Sequence, residues 1–194
     1  MSDTATSLRD TLRTATDAAH ARTDAAFSAI DLTTVQGRGR FLAAQAHGFE
    51  AARRAFATHG EAEWEAVSRA RRDAALADAD PMLLLGLPQT DLSGHDPLGV
   101  AYVVAGSLHG AGILRTRLRR SGLRRLPVFF SRPGPVVGDL RPVWADVLER
   151  LGRAREGRAP ALVSAAEATF AAFAAPLSRT PALRAPDLAK TLIA

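Results

Sequence analysis

The chain has no cysteine among its 194 residues, which excludes disulfides, thiolate metal sites and cysteine nucleophiles. Lysine is nearly as scarce. Lys190 is the only one, so the formal charge of +5 rests on arginine; that points to a compositional bias as much as to a function and is weak ground for a nucleic-acid partner. Met1 to Ser7 offer neither a basic n-region nor an apolar h-region, and no later apolar run is expected to reach membrane-span length. The expectation is therefore a soluble, cytoplasmic protein with no membrane and no nucleic acid among its partners. No stretch alternates apolar and polar residues as a half-buried strand does, and no segment repeats.

What is present is helical periodicity. With 47% hydrophobic residues the chain can bury one substantial core, and the pattern predicts a single all-α domain over 1–194. Residues 1–6 are expected to be flexible, and roughly 181–194 to be a short terminal helix or a partly disordered tail. Ser7 with Asp10 makes a capping box for a helix over about 7–30, striped by Leu8, Leu12, Ala15, Ala19, Ala26, Phe27 and Ile30. Thr33 with Gln36 starts a second, with Phe41, Gly48, Phe49, Ala52 and Phe56 on its apolar side and its end near Gly60. A short, charged helix follows over 61–78. Asp96-Pro97 opens another that runs to about Leu118, and Ser121-Gly122 ends it. From Pro127 to Gly138 a proline- and glycine-rich loop is expected to dip Phe129 and Phe130 into the core. Two helices, about 139–151 and 160–177, complete the set.

The segment from Tyr102 to Leu114 stands apart because it keeps Gly106, Gly110 and Gly112 inside a helix. Each interior glycine costs about 0.5–1 kcal/mol relative to alanine, which the chain uses freely elsewhere. Gly106 and Gly110 at i,i+4 clear one helix face. That face either packs closely against another helix or lies against a flat ligand, over which the helix can bend.

The stretch Leu12 to Asp24, with His20 within it, resembles the opening helix of the heme oxygenase family. The glycine segment is similar to that family's distal helix, where a Tyr-Val-hydrophobic-x-Gly-Ser-x-x-Gly pattern passes over the heme. Between them, Arg72 to Asp80 followed by Leu83-Leu84-Leu85-Gly86 looks like the family's link into a Leu-Gly turn; Val143 to Leu148 and Ala168 to Phe173 resemble its later helices. The bacterial branch associated with bacteriophytochromes is the most similar, and the missing cysteine counts against thiamin-cleaving relatives of similar fold.

The resemblance implies a heme oxygenase-like helical bundle that cleaves heme, its cofactor and substrate, with O2 and supplied electrons to biliverdin, CO and ferrous iron. It implies an electron donor such as a ferredoxin or reductase, and a supply of biliverdin to a bacteriophytochrome. His20 would be the axial ligand of the heme iron, with Asp24 or Asp17 near enough to accept from its second nitrogen. The Gly106–Gly110 backbone would close the distal face, and Ser107 would serve as a packing residue. Arg13, two turns before His20 on the same face, and Arg141, where the family places a basic residue, would meet the propionates.

The chain departs from the family at Ala105, where a glutamate is common, and at His109-Gly110-Ala111, where Leu-Gly-Gly is usual. His109 either points inward, as a second imidazole opposite His20, or along the helix flank, which is favoured. These departures keep open a non-catalytic heme-binding sensor or carrier. A non-heme di-iron oxidase is a further alternative, resting on His47 and Glu50 at i,i+3 and lacking the second Glu-x-x-His pair. The arginines Arg115, Arg117, Arg119, Arg120, Arg124 and Arg125 favour the helix dipole where they stand. They also suggest a docking surface for an acidic electron donor, ahead of a phosphate backbone.

Overall fold

The computed structural model describes residues 7–79, 89–123, 125–130 and 140–179. Among these there are six α-helices and no strand: α1 (Leu8–Ser28), α2 (Val35–His59), α3 (Ala62–Leu76), α4 (Pro97–Arg120), α5 (Leu140–Arg153) and α6 (Ala159–Arg179). The all-α class follows from the periodicity, and the capping residues explain most of the boundaries. Ser7 Oγ accepts from the Asp10 amide and donates to its carboxylate, closing the box at the start of α1. Asp96 accepts from the Leu98 amide at 2.9 Å to start α4. Arg158 then grips both oxygens of Asp96 at 2.6 and 2.9 Å, tying the approach to α6 to the head of α4.

One cap is shifted. The N-cap of α2 is Thr34, whose hydroxyl accepts from the Gly37 amide at 3.0 Å. Thr33 is instead consumed by Asp31, which accepts from both its amide and its hydroxyl. The α2 helix ends as expected at Gly60, whose φ of 71° is open to glycine at little cost. Phe129 and Phe130 lie in a single 3-10 turn, Val128–Phe130, and both are buried. Leu83 to Gly86 and everything after Arg179 lie outside the described residues.

The core is built around α2 and α6. The α2 helix touches α3, α4 and α6; α6 touches α1, α2 and α4. Phe49 meets Phe173 edge-on at 5.1 Å and Phe129 at 6.2 Å, and Phe41 stacks on Phe130 at 5.4 Å. Two backbone approaches permit this packing. A Cβ on Gly48 would lie 2.3 Å from the Phe173 ring, and one on Gly99 would lie 2.5 Å from the Leu162 carbonyl oxygen.

The expectation about apolar runs is corrected here. Pro97–Arg120 and Glu156–Ser178 are both long and apolar enough to cross a membrane. Alanine dominates the second, while glycines interrupt the valines and leucines of the first, and the two helices pack on one another in the bundle. On the outer side of α2 and α3 charge replaces apolar contact. Glu50 accepts from Arg53 at 2.8 and 2.9 Å and from Arg72 at 2.6 Å, while Arg53 also reaches Glu65.

Candidate functional site

Helices α1 and α4 both dock on α6, yet they make hardly any contact with each other. The space between them is a cleft of about 800 Å³, within the ~300–1,000 Å³ typical of small-molecule sites. Its first wall is one face of α1: Arg13, Thr16, Asp17, His20, Thr23, Asp24 and Phe27 recur at the three- and four-residue spacing that puts side chains on one side. The second wall is α4, from Tyr102 through Gly106 and Gly110 to Leu114. Phe41 and Gln45 from α2, Phe129, Trp144, Phe170 and Phe173 complete it.

The two readings of the α4 glycines separate on this geometry. A Cβ built on Gly106 or Gly110 meets no atom of the described residues within 4 Å, and both glycines line the cleft. Among the described residues no helix presses against them. Close packing in α4 belongs to Gly99, in the first turn of the helix. Gly112 also has open space around it but does not line the cleft.

His20 stands on the α1 wall with its side chain 56% exposed, its ring 5.3 Å from that of Phe170. Its Nε2 is 3.6 Å from Asp24 Oδ2, an ion-pair approach too long for a hydrogen bond, so no such bond locks the ring tautomer there. Asp17 lines the same face. Arg13 is exposed on that wall. With Arg9 it acts electrostatically on Tyr102 across the cleft, opposing the upward pull that burial exerts on the phenol pKa. Positive charge therefore collects at the Tyr102 end, where Trp144 lies 5.8 Å from the Tyr102 ring.

Ser107 is half-buried and donates to the Val104 carbonyl at 3.0 Å, a helix-internal bond in keeping with a packing role. His109 is exposed and contributes to the lining beside Gly110. The Arg141 side chain lies outside the described residues. The arginines Arg117, Arg119 and Arg120 are exposed in the last turn of α4, where cations complement the helix dipole.

The His47–Glu50 pair is not set up as a metal site. His47 Nε2 is 2.8 Å from Thr90 Oγ1, and burial, with Arg54 nearby, pulls the imidazole pKa down. Both oxygens of Glu50 are occupied by arginines, which hold its carboxyl at about 2. Among the described residues no group of three or more His, Cys, Asp or Glu is placed to hold a metal ion.

Two side chains were not singled out by sequence patterning. Gln45 sits between Phe41 and Phe49 on the apolar i,i+4 stripe of α2, and that polar interruption was the available signal. Arg71 is buried, donates to the Phe129 carbonyl at 3.0 Å and covers the Phe129 ring at 3.9 Å, so it fixes the turn that supplies one cleft residue. Burial draws its guanidinium pKa down to about 10. In comparisons with known proteins, no family model, no curated protein and no solved structure matches the chain.

Proposed function

We propose that the protein is a heme oxygenase-like enzyme that cleaves heme to biliverdin, CO and ferrous iron. The observation that carries this reading is the pair of facing walls: an imidazole on α1 and, on α4, helical backbone stripped of side chains at Gly106 and Gly110. The residues present fit a flat, largely apolar macrocycle with charged substituents. The cleft volume suffices, phenylalanine rings line it, and Arg13 stands at its exposed end.

Bound heme would supply the oxygen-binding and redox chemistry, with electrons from an external donor such as a ferredoxin or reductase. The chain's own part is holding and excluding. His20 would ligate the iron, with Asp17 and Asp24 on the same face of α1. Gly106 and Gly110 let the macrocycle approach the α4 backbone, and the phenylalanines keep water from its faces. Arg13, with Arg141 as a second cation, would neutralise the propionates. The arginines at the end of α4 would meet an acidic donor, and delivery of biliverdin to a bacteriophytochrome belongs to the same proposal. Cytoplasmic location is part of it too.

A second reading, a heme-binding sensor or carrier, is favoured by one observation: His109 is among the residues that line the cleft. A second imidazole there could compete with oxygen for the iron. One experiment separates the readings. Hemin is added to the purified native protein, His20→Ala and His109→Leu, and each is followed by absorption after ascorbate in air. Enzyme function predicts a one-to-one Soret band, lost as biliverdin forms, with His20→Ala lacking the imidazole signature and His109→Leu behaving as native. A low-spin native complex that turns over only as His109→Leu would instead establish the sensor or carrier.

A further inference from the structure

Three buried polar side chains line the cleft: Thr16, Thr23 and Gln45. The two threonines are satisfied within α1, Thr16 donating to the Leu12 carbonyl at 2.8 Å and Thr23 to the Ala19 carbonyl at 3.0 Å. Gln45 differs. It is only 7% exposed, and no described residue hydrogen-bonds its carboxamide. Its polar atoms are not sealed in the core but open to the cleft, and the positions one helical turn away on the same stripe carry Phe41 and Phe49. The carboxamide is thus a polar group presented by an otherwise apolar wall to whatever occupies the cleft.

A carboxylate is a poor match. It only accepts hydrogen bonds, leaving the Gln45 carbonyl unmet. The group that answers a carboxamide at both ends is another amide, one N–H and one C=O side by side in a plane.

We propose that Gln45 is the specificity-determining residue of the cleft and recognises the lactam edge of a flat, conjugated ligand. The inference rests on the tetrapyrrole reading above and sharpens it. A closed porphyrin has no amide edge, whereas an opened linear tetrapyrrole ends in two lactams. Gln45 therefore discriminates between the two, holding the opened ring in the cleft more firmly than an apolar wall would.

The test is equilibrium titration of the full-length protein and of Gln45→Met with biliverdin and, separately, with hemin, read by visible absorption. Methionine keeps the length of the side chain and removes both hydrogen-bonding ends; the melting temperature of the variant is expected to equal or exceed the native value, which certifies its fold. The expected result is a loss of about tenfold or more in biliverdin affinity with hemin affinity held within about twofold. Equal biliverdin affinity in both proteins overturns the role of Gln45 and leaves the heme reading standing. Failure of hemin to bind the native protein overturns the heme reading, and the Gln45-dependence of biliverdin binding then decides the inference alone. If biliverdin does not bind the native protein, the inference fails.

Discussion

The two halves of α4 use the same residue for opposite purposes. Near its start Gly99 lets α4 press onto α6, so that a methyl group there would meet the Leu162 carbonyl oxygen at 2.5 Å and the Ala165 methyl at 2.7 Å. Two turns later Gly106 and Gly110 face the cleft, where a methyl group would touch none of the described residues. In the closed half glycine is explained by the fold. In the open half the fold gains nothing from it, and a stability cost without a packing return points to a ligand.

The comparison breaks first, and most visibly, at Gly99. Gly99→Ala should destabilise the protein by about 3 kcal/mol, since the clash is with backbone and cannot be relieved by a rotamer change. Calorimetry should record a drop of about 6–12 °C in Tm. A drop of under two degrees would mean that the helices are not in close contact. In the open half the expected pattern reverses. Arg13→Glu should weaken hemin binding by about 1–3 kcal/mol if it removes a charge-assisted bond to a propionate. Its chemical denaturation midpoint should stay unchanged, because Arg13 is exposed and makes no ion pair among the described residues.

The closed side also carries the acid sensitivity. The arginines Arg53 and Arg72 lower the Glu50 carboxyl from 4.5 to about 2. A depressed folded pKa contributes stability that is fully present above the unfolded value and is lost as pH falls through the folded one. The Glu50 contribution should therefore fade between pH 4.5 and about 2. Glu50→Gln should lose on the order of 1 kcal/mol at pH 7 and flatten the stability profile across that window. A variant profile parallel to the native one would remove Glu50 from the account.

This division was only partly legible in the sequence. Helix starts were visible where a side chain caps the backbone locally, as at Ser7 and Asp96, because capping depends on residues three or four apart. The burial of Phe129 and Phe130 could be read from large apolar side chains in a polar loop. Thr33 and Thr34 could not be told apart, since the choice depends on which hydroxyl Asp31 captures. The packing role of Gly48 and Gly99 was illegible for a different reason: it is set by Phe173 and Leu162, more than 60 residues away in the chain. Glycine signals a need for room without saying what fills it. Gln45 is hard to see in the sequence because a single polar residue hardly disturbs an apolar stripe that runs through Phe41 and Phe49. The α1 face bearing Arg13, Asp17, His20 and Asp24 was legible, as helical spacing alone brings those side chains together.

The central claim is that Gly106 and Gly110 are kept for a ligand. It is tested most directly by replacing both with alanine and measuring thermal stability and hemin affinity on the same sample, with Gly112→Ala as the control outside the cleft. The account predicts that the double variant gains about 1–2 kcal/mol of stability from helix propensity and binds hemin more weakly. Gly112→Ala should gain about half that stability and bind hemin as the native protein does. A double variant that melts lower than native, or that takes up hemin with unchanged affinity, would contradict it.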